Sequence, residues 1–316
     1  MKNLRIVFMG TPEFSMCVLN KLIEEKYNIV GCVTQTDKPV GRKKIMTMSP
    51  VKTLALKNHI NVLQPKNIKE EYQMVLDLKP DLIITCAYGQ IIPKAILDYP
   101  KYECINVHAS LLPKYRGGAP IHHAIINGEK QTGITIMKMV SKMDAGDTLI
   151  SKAIDIDIND TTASLFDKLM VVASELLVDS LPAYLNGSLK PNKQDESLVS
   201  YAYNIARSDE YINFNRDVLV VYNHIRGLIS WPIGNSLING LRIKFYDVEY
   251  EVDNSSIPLK VYGLKEGKLK IGTIGGFIYI NILQVAGKKK QSASEFYNGY
   301  KNKLENQMFE EYNHEN

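Results

Sequence analysis

The chain opens on an apolar run, "LRIVFMG", closed by Gly10, and passes at once into "TPEFSMCVLNKLIEEKY", where apolar positions recur at helical spacing. The first stretch predicts a buried strand. The second predicts a helix with Thr11 as its N-cap, Pro12 at the first position and Glu13 in the first turn. The alternation continues through "NIVGCVTQ", "SPVKTLALKNH", "INVLQ", a helix around "EYQMVLDLK" and the strand "DLIITCAYG". Strands alternating with helices predict a mostly parallel, Rossmann-like α/β sheet with right-handed crossovers.

Further on, "ECINVHAS" reads as a strand, "APIHHAIINGEK" as a helix, and "GITIMKM" with "DTLISKAIDI" as a return pair of strands. The long amphipathic run "TASLFDKLMVVASELLVDSLPAYLNG" closes a first domain over residues 1–188. Residues 189–206 are polar, lysine-bearing and weakly periodic, which predicts a linker. A second domain follows over 207–316. It starts with a helix at "DVLVVYNHIRGLI" and continues as short strands parted by glycine turns, the pattern of a small OB-like β-barrel.

Composition narrows the class without changing this outline. At 316 residues, two domains are expected. Hydrophobic residues at 45% and charged residues at 23% describe an ordinary globular chain and exclude collagen-like, disordered and disulfide-scaffold classes. No apolar run approaches the roughly 18 residues that span a bilayer, and the apolar core of the opening is too short for a signal peptide, so a cytoplasmic protein is expected. Cys17, Cys32, Cys86 and Cys104 show no C-x-x-C spacing and read as reduced core thiols, with no metal site. Net charge is only +4, yet residues 1–60 hold ten Lys/Arg against four Asp/Glu, so a positive field gathers there.

Candidate chemistry sits at the end of the strand "ECINVHAS". Residues i and i+2 of a strand share a face, so Asn106 and His108 leave it together, and ligands of open parallel sheets bind beyond the carboxyl ends of strands. An amide and an imidazole can both donate to an oxygen that gains negative charge. The alternative is a buried histidine bonded to a backbone carbonyl. In "KMDAGDTLI", Asp144 and Asp147 flank a glycine turn; an aspartate there can orient His108 or move a proton, although an Asp-Gly turn is also ordinary hairpin chemistry. "GTPEF" lacks the further glycines of a dinucleotide fingerprint, and no phosphate-binding G-x-x-x-x-G-K-[ST] occurs. The basic runs "DKPVGRKKIMTMSPVK", with Lys38, Arg42, Lys43 and Lys44, and "GKKKQS", with Lys288, Lys289 and Lys290, are either solvated faces or phosphate contacts.

"NVHASLLPKYRGGAP" with "MDAGDT" resembles the formyltransferases that take a one-carbon unit from 10-formyltetrahydrofolate. The pattern is matched at Asn106, His108, Ser110 to Pro113, Tyr115 to Gly117 and Asp144. The likeness extends from "LRIVFMGTPEF" through "AYGQIIP" to "LQVAGKKKQSASEF", and over its length is to the branch of that family acting on methionyl-initiator tRNA. "GRKKIM" departs from the family's usual G-R-G-K-K-L, and "SWPIG" stands where P-W-P-G is common. The resemblance implies formyl transfer to the methionyl amine, with Asn106, His108 and Asp144 catalytic and no metal. It implies folate held by Ser110, Leu111, Leu112, Pro113, Tyr88, Gly89, Gln90 and Ile91. It implies tRNA contacts from the two lysine-bearing loops and the C-terminal barrel, and a chain that works as a monomer in the cytoplasm.

Overall fold

The computed structural model describes residues 4–41, 43–304 and 307–311. Arg42 lies outside the described residues. The chain divides into two compact units: Met1–Pro120 with Thr132–Ile154 and Phe166–Tyr203, and Ile121–Gln131 with Asp155–Leu165 and Asn204–Asn316.

In chain order the elements of the N-terminal half are β1 (Ile6–Gly10), α1 (Glu13–Glu24), β2 (Ile29–Val33), β3 (Lys38–Val40), β4 (Ile45–Thr47), α2 (Pro50–Lys57), β5 (Val62–Leu63), α3 (Gln73–Leu76), β6 (Leu82–Cys86), α4 (Lys94–Leu97), β7 (Cys104–His108), α5 (Pro120–Ile126), β8 (Gln131–Lys138), β9 (Thr148–Asp155) and α6 (Thr162–Leu185). Among the described residues, seven strands form one sheet in the order β5-β2-β1-β6-β7-β8-β9. Pairing is parallel from β5 to β7 and turns antiparallel at β7/β8. The two central strands β1 and β6 are buried along their whole length, which is why they read as continuous apolar runs. Burial pushes the thiols of Cys32, Cys86 and Cys104 up to about 12, which keeps them protonated and unreactive.

Local chemistry accounts for some helix starts and not others. Ser49 caps α2 by accepting from the Lys52 N–H at 3.0 Å, with Pro50 in the first turn. Thr11 does not cap α1. The N-cap is Pro12, and the Thr11 hydroxyl donates instead to the Tyr88 carbonyl at 2.9 Å, so a tertiary partner outbids the local one. The basic run "DKPVGRKKIMTMSPVK" contains a short antiparallel hairpin, β3 against β4.

The expected linker differs from what the chain does. Residues 189–203 belong to the first unit, where Tyr201 bridges Arg116 and Asn192 bridges Thr148. Polar, aperiodic sequence is as compatible with a strap pinned by main-chain bonds as with a free linker. The boundary drawn at 188 therefore falls inside the first unit, and the second also takes in Ile121–Gln131 and Asp155–Leu165.

In the C-terminal half come α7 (Val218–Arg226), β10 (Asn235–Ile238), β11 (Leu241–Val252), β12 (Val261–Lys265), β13 (Lys268–Thr273), β14 (Gly276–Val285), β15 (Gln291–Ser292) and α8 (Ala293–Leu304). The strands make an antiparallel sheet, β10-β11-β14-β13-β12, with β15 on β14. Residues 307–311 join its two edges. Val261 donates to Gln307 and Phe309 to Leu259 beside β12, each at 2.9 Å, and Glu310 donates to Leu237 of β10 at 2.8 Å. The sheet closes through this segment, which hides its edge groups. Phe309 anchors the closure inside the core, its ring 4.9 Å from that of Phe214.

Candidate active site

The carboxyl end of β7 carries the site. Asn106 and His108 share one face of the strand, opposite Met137 and Thr135 of β8. The Asn106 amide is oriented by a residue that sequence reasoning missed: Thr85 of β6, its register partner, donates its hydroxyl to Asn106 Oδ1 at 2.7 Å. With the amide oxygen taken, the NH₂ end is left as a donor. A lone threonine inside the apolar strand "LIITC" was the available signal.

His108 is almost enclosed, its side chain 7% exposed. Its Nε2 lies 2.9 Å from the Tyr115 carbonyl oxygen. A carbonyl only accepts, so Nε2 carries a hydrogen, and Nδ1 is the ring nitrogen left for chemistry. Nδ1 faces Asp144 Oδ2 at 3.7 Å. That is ion-pair range but too long for a direct N–H···O bond, and it leaves the nitrogen able to serve a third atom.

Asp144 stands in a turn with φ +48, a left-handed conformation that aspartate tolerates better than most residues. Its Oδ2 accepts from the Gly117 N–H at 2.9 Å, which ties the turn to the loop following His108. Two glycines make this approach possible. A Cβ on Gly146 would lie 1.9 Å from the Lys138 carbonyl oxygen, and one on Gly117, at φ +128, would lie 2.5 Å from that of Ala202. Asp147 gives its carbonyl to the Lys138 N–H at 2.8 Å and so serves the turn.

The loop after β7 is pinned by Thr135, fully buried, which donates to the Ser110 carbonyl at 2.7 Å and accepts from the Leu112 N–H at 3.2 Å. Ser110 turns its hydroxyl inward to the Lys114 carbonyl at 2.7 Å, while Leu111, Leu112 and Pro113 stay half-buried. At the end of β6, Tyr88 sends its ring into the core beside Val7, Met9 and Ile83, and its carbonyl accepts from both Thr11 and Gln35. Gln90 spends its amide on Ile68 and Pro65, whereas Gly89 is exposed and Ile91 leaves an apolar side chain 71% exposed. Nearby, Lys52 and Gln64 bond Asp37 and hold its carboxyl below the usual range. Among the described residues no three histidines, cysteines or carboxylates gather as metal ligands.

Lys38, Lys43 and Lys44 are exposed on and beside the β3–β4 hairpin. Lys288, Lys289 and Lys290 are exposed in the β14–β15 turn, and the Lys290 ammonium lies 3.8 Å from the centroid of the Tyr246 ring. No helix of the described residues is long and apolar enough to cross a membrane.

This chain is 51% identical to a methionyl-tRNA formyltransferase of Bacillus cytotoxicus over 302 residues, covering 94% of this chain and 96% of the relative. Among solved structures, an N-formyltransferase from Helicobacter canadensis in complex with folinic acid and dTDP-3-aminofucose matches with a TM-score of 0.68 at 21% identity, over 88% of this chain and 98% of that one. A methionyl-tRNA formyltransferase from Clostridium thermocellum matches with a TM-score of 0.56 at 19% identity, over 89% and 98%. At such identities the two structures share the fold and leave the acceptor undecided. The formyl transferase model matches residues 4–181, which include Asn106, His108 and Asp144, and the model of the formyl transferase C-terminal domain matches 204–301, so the chain belongs to the formyl transferase family.

Proposed function

We propose that this formyl transferase moves the formyl group of 10-formyltetrahydrofolate onto the free amine of methionyl-initiator tRNA, giving the formylated initiator used to start translation. The observation that carries the chemistry is a pair of donors left over on one face of β7. The Asn106 oxygen is committed to Thr85 and the His108 Nε2 to Tyr115, so the Asn106 NH₂ remains uncommitted and His108 Nδ1 faces the Asp144 carboxylate at 3.7 Å. The acceptor follows from the 51% identity to the Bacillus cytotoxicus enzyme over nearly the whole of both chains.

The attacking amine must arrive deprotonated. As its nitrogen adds to the formyl carbon, the formyl oxygen becomes an oxyanion, and Asn106 Nδ2–H and, with His108 in its imidazolium form, His108 Nδ1–H are the donors that stabilise it, each worth roughly 3–4 kcal/mol. Asp144, fixed by the Gly117 N–H, takes through water the proton released by the attacking nitrogen. Collapse breaks the bond between the formyl carbon and the folate nitrogen, and that nitrogen receives the proton. The donors polarise the carbonyl themselves, and the proposal uses no metal.

Folate would lie against the loop at Leu111, Leu112 and Pro113 and the exposed Gly89 and Ile91, with Ser110, Tyr88 and Gln90 holding these backbones in place. Lys38, Arg42, Lys43 and Lys44, with Lys288 to Lys290, would meet tRNA phosphates. The catalytic residues all come from one unit of one chain, which is consistent with a monomer. The four cysteines are unpaired, as in a reducing cytoplasm.

Initial rates with charged initiator tRNA and with a nucleotide-linked amino sugar, each supplied with 10-formyltetrahydrofolate, test the reading. Formylation of the tRNA is expected, and it should be lost in His108→Ala. Preference for the sugar would reassign the acceptor, and an unimpaired His108→Ala would reassign the site.

A further inference from the structure

Arg116 belongs to the motif that pointed to the site, yet it is fully buried and cannot touch a substrate. Its guanidinium reaches across the fold to the strap at 189–203. Nε and Nη2 donate to Gln194 Oε1 at 3.1 and 2.8 Å, and Nη2 also donates to Glu196 Oε1 at 2.7 Å. Gln194 is itself 7% exposed, and its NH₂ donates to the carbonyls of Asp144 and Gly146 at 2.8 and 2.6 Å.

The amide of Gln194 is thus saturated, two bonds accepted and two donated, its full capacity. Its orientation is forced, because a flipped amide would set NH₂ against a guanidinium and an oxygen against two carbonyls. Only a primary amide of this length offers an acceptor to the arginine and a donor pair to the turn. The turn it clamps is the one that holds Asp144 in its left-handed conformation.

The surrounding bonds make the clamp part of a closed circuit. Arg116 donates its N–H to Ser200 at 2.9 Å and accepts from Ala202 at 2.8 Å, while the Tyr115 N–H donates to the Ser200 hydroxyl at 3.0 Å. Tyr115 in turn accepts from His108, and Gly117, next to Arg116, donates to Asp144. Strap, loop and turn therefore hold the Tyr115 carbonyl on His108 Nε2 and set the Asp144 carboxylate 3.7 Å from Nδ1.

We propose that Gln194 is a positioning residue for formyl transfer, setting the Asp144 carboxylate against His108 through the turn it clamps. The inference rests on the catalytic reading of Asp144 and His108 given above. A misplaced catalytic group costs on the order of 100-fold in rate for about 1 Å, whereas a residue that only supports the fold has no reason to act through one particular carboxylate.

The test is a double-mutant cycle in the full chain, with Gln194→Met, Gln194→Glu, Asp144→Ala, Gln194→Met/Asp144→Ala and His108→Ala measured for kcat, for KM of both substrates and for thermal unfolding. Gln194→Met should lower kcat about 10- to 100-fold with both KM values little changed, and the double variant should be no slower than Asp144→Ala. Gln194→Glu keeps an acceptor for Arg116 and so protects the fold, but it places an acceptor against two carbonyls and should be slowed like Gln194→Met. Wild-type kcat in Gln194→Glu, an effect confined to KM, or a double variant slowed by the product of the single effects would each overturn the proposal. Asp144→Ala and His108→Ala separate it from the reading beneath: if they are slow while Gln194→Met is not, only the clamp fails, and if they run at the wild-type rate, the site assignment falls and takes the clamp with it.

Discussion

The carboxyl edge of the first sheet and the closed sheet of the second unit spend their polar residues in opposite ways. At the edge, Thr85, Asn106, His108, Arg116, Asp144 and Gln194 are locked into one another by bonds of 2.6–3.1 Å, or face each other across 3.7 Å. In the second unit the core is aliphatic and aromatic, with Phe214, Phe245 and Phe309 packed together, and Lys288 to Lys290 stand in solvent. Function at the edge depends on where each atom points. On the second unit, the proposed tRNA contacts would depend on summed charge. Single substitutions should therefore act steeply in the first region and gradually in the second.

The steepest expected effect is at Asn106. Asn106→Ala removes the proposed oxyanion donor and should lower kcat roughly 100- to 1,000-fold with folate affinity held; a loss confined to KM would place the amide in binding. Arg116→Met comes next, on stability. It strands the Gln194 oxygen, a buried acceptor, at a cost of about 1–3 kcal/mol, readable as a lowered denaturation midpoint; an unchanged midpoint would mean the strap needs no guanidinium. Thr85→Val frees the Asn106 amide to turn and should cost up to about tenfold in kcat, with single-turnover rates as the check.

The second region sharpens the contrast at smaller amplitude. Replacing Lys288, Lys289 and Lys290 together by alanine should weaken tRNA use, flatten the slope of log affinity against log salt by roughly 2 to 3 and leave the folate KM alone. A steep loss of kcat there would erase the distinction between regions. The smallest effect belongs to the pH dependence of the strap. Hydrogen bonds from Arg116 and then Lys142 hold the Glu196 carboxyl down at about 2. A depressed folded-state value means that its contribution to stability is complete above the ordinary carboxylate range and is lost as pH falls through that range toward about 2. Glu196→Gln should decline less steeply than the wild type over that window, the remaining slope coming from other depressed carboxyls such as Asp37 and Glu251; equally steep declines in the two proteins would refute the link.

Continuous apolar runs and period-3.6 patterns carried much of the fold, because β1 and β6 are buried along their whole length and α6 buries one face. Asn106 and His108 were legible for the same reason, as two polar residues on one face at the end of an apolar strand. Thr85 announced itself weakly, a hydroxyl among aliphatic neighbours, and no pattern said that it faced Asn106. The strap was not legible. Gln194 meets Arg116 across 78 residues of sequence, and its polar neighbourhood reads like a linker because saturated hydrogen bonding leaves no hydrophobic period behind. The Thr11 cap failed likewise, since the Tyr88 carbonyl that takes its hydroxyl lies 77 residues away.

The central claim is that imidazole and carboxylate work as one device on the reacting carbonyl. Single-turnover formyl transfer to methionyl-initiator tRNA, with both substrates saturating, tests it most directly in His108→Ala, Asp144→Ala and the double variant. A shared device predicts a double variant about as slow as the slower single one; multiplied losses, or a single variant at the wild-type rate, would contradict it.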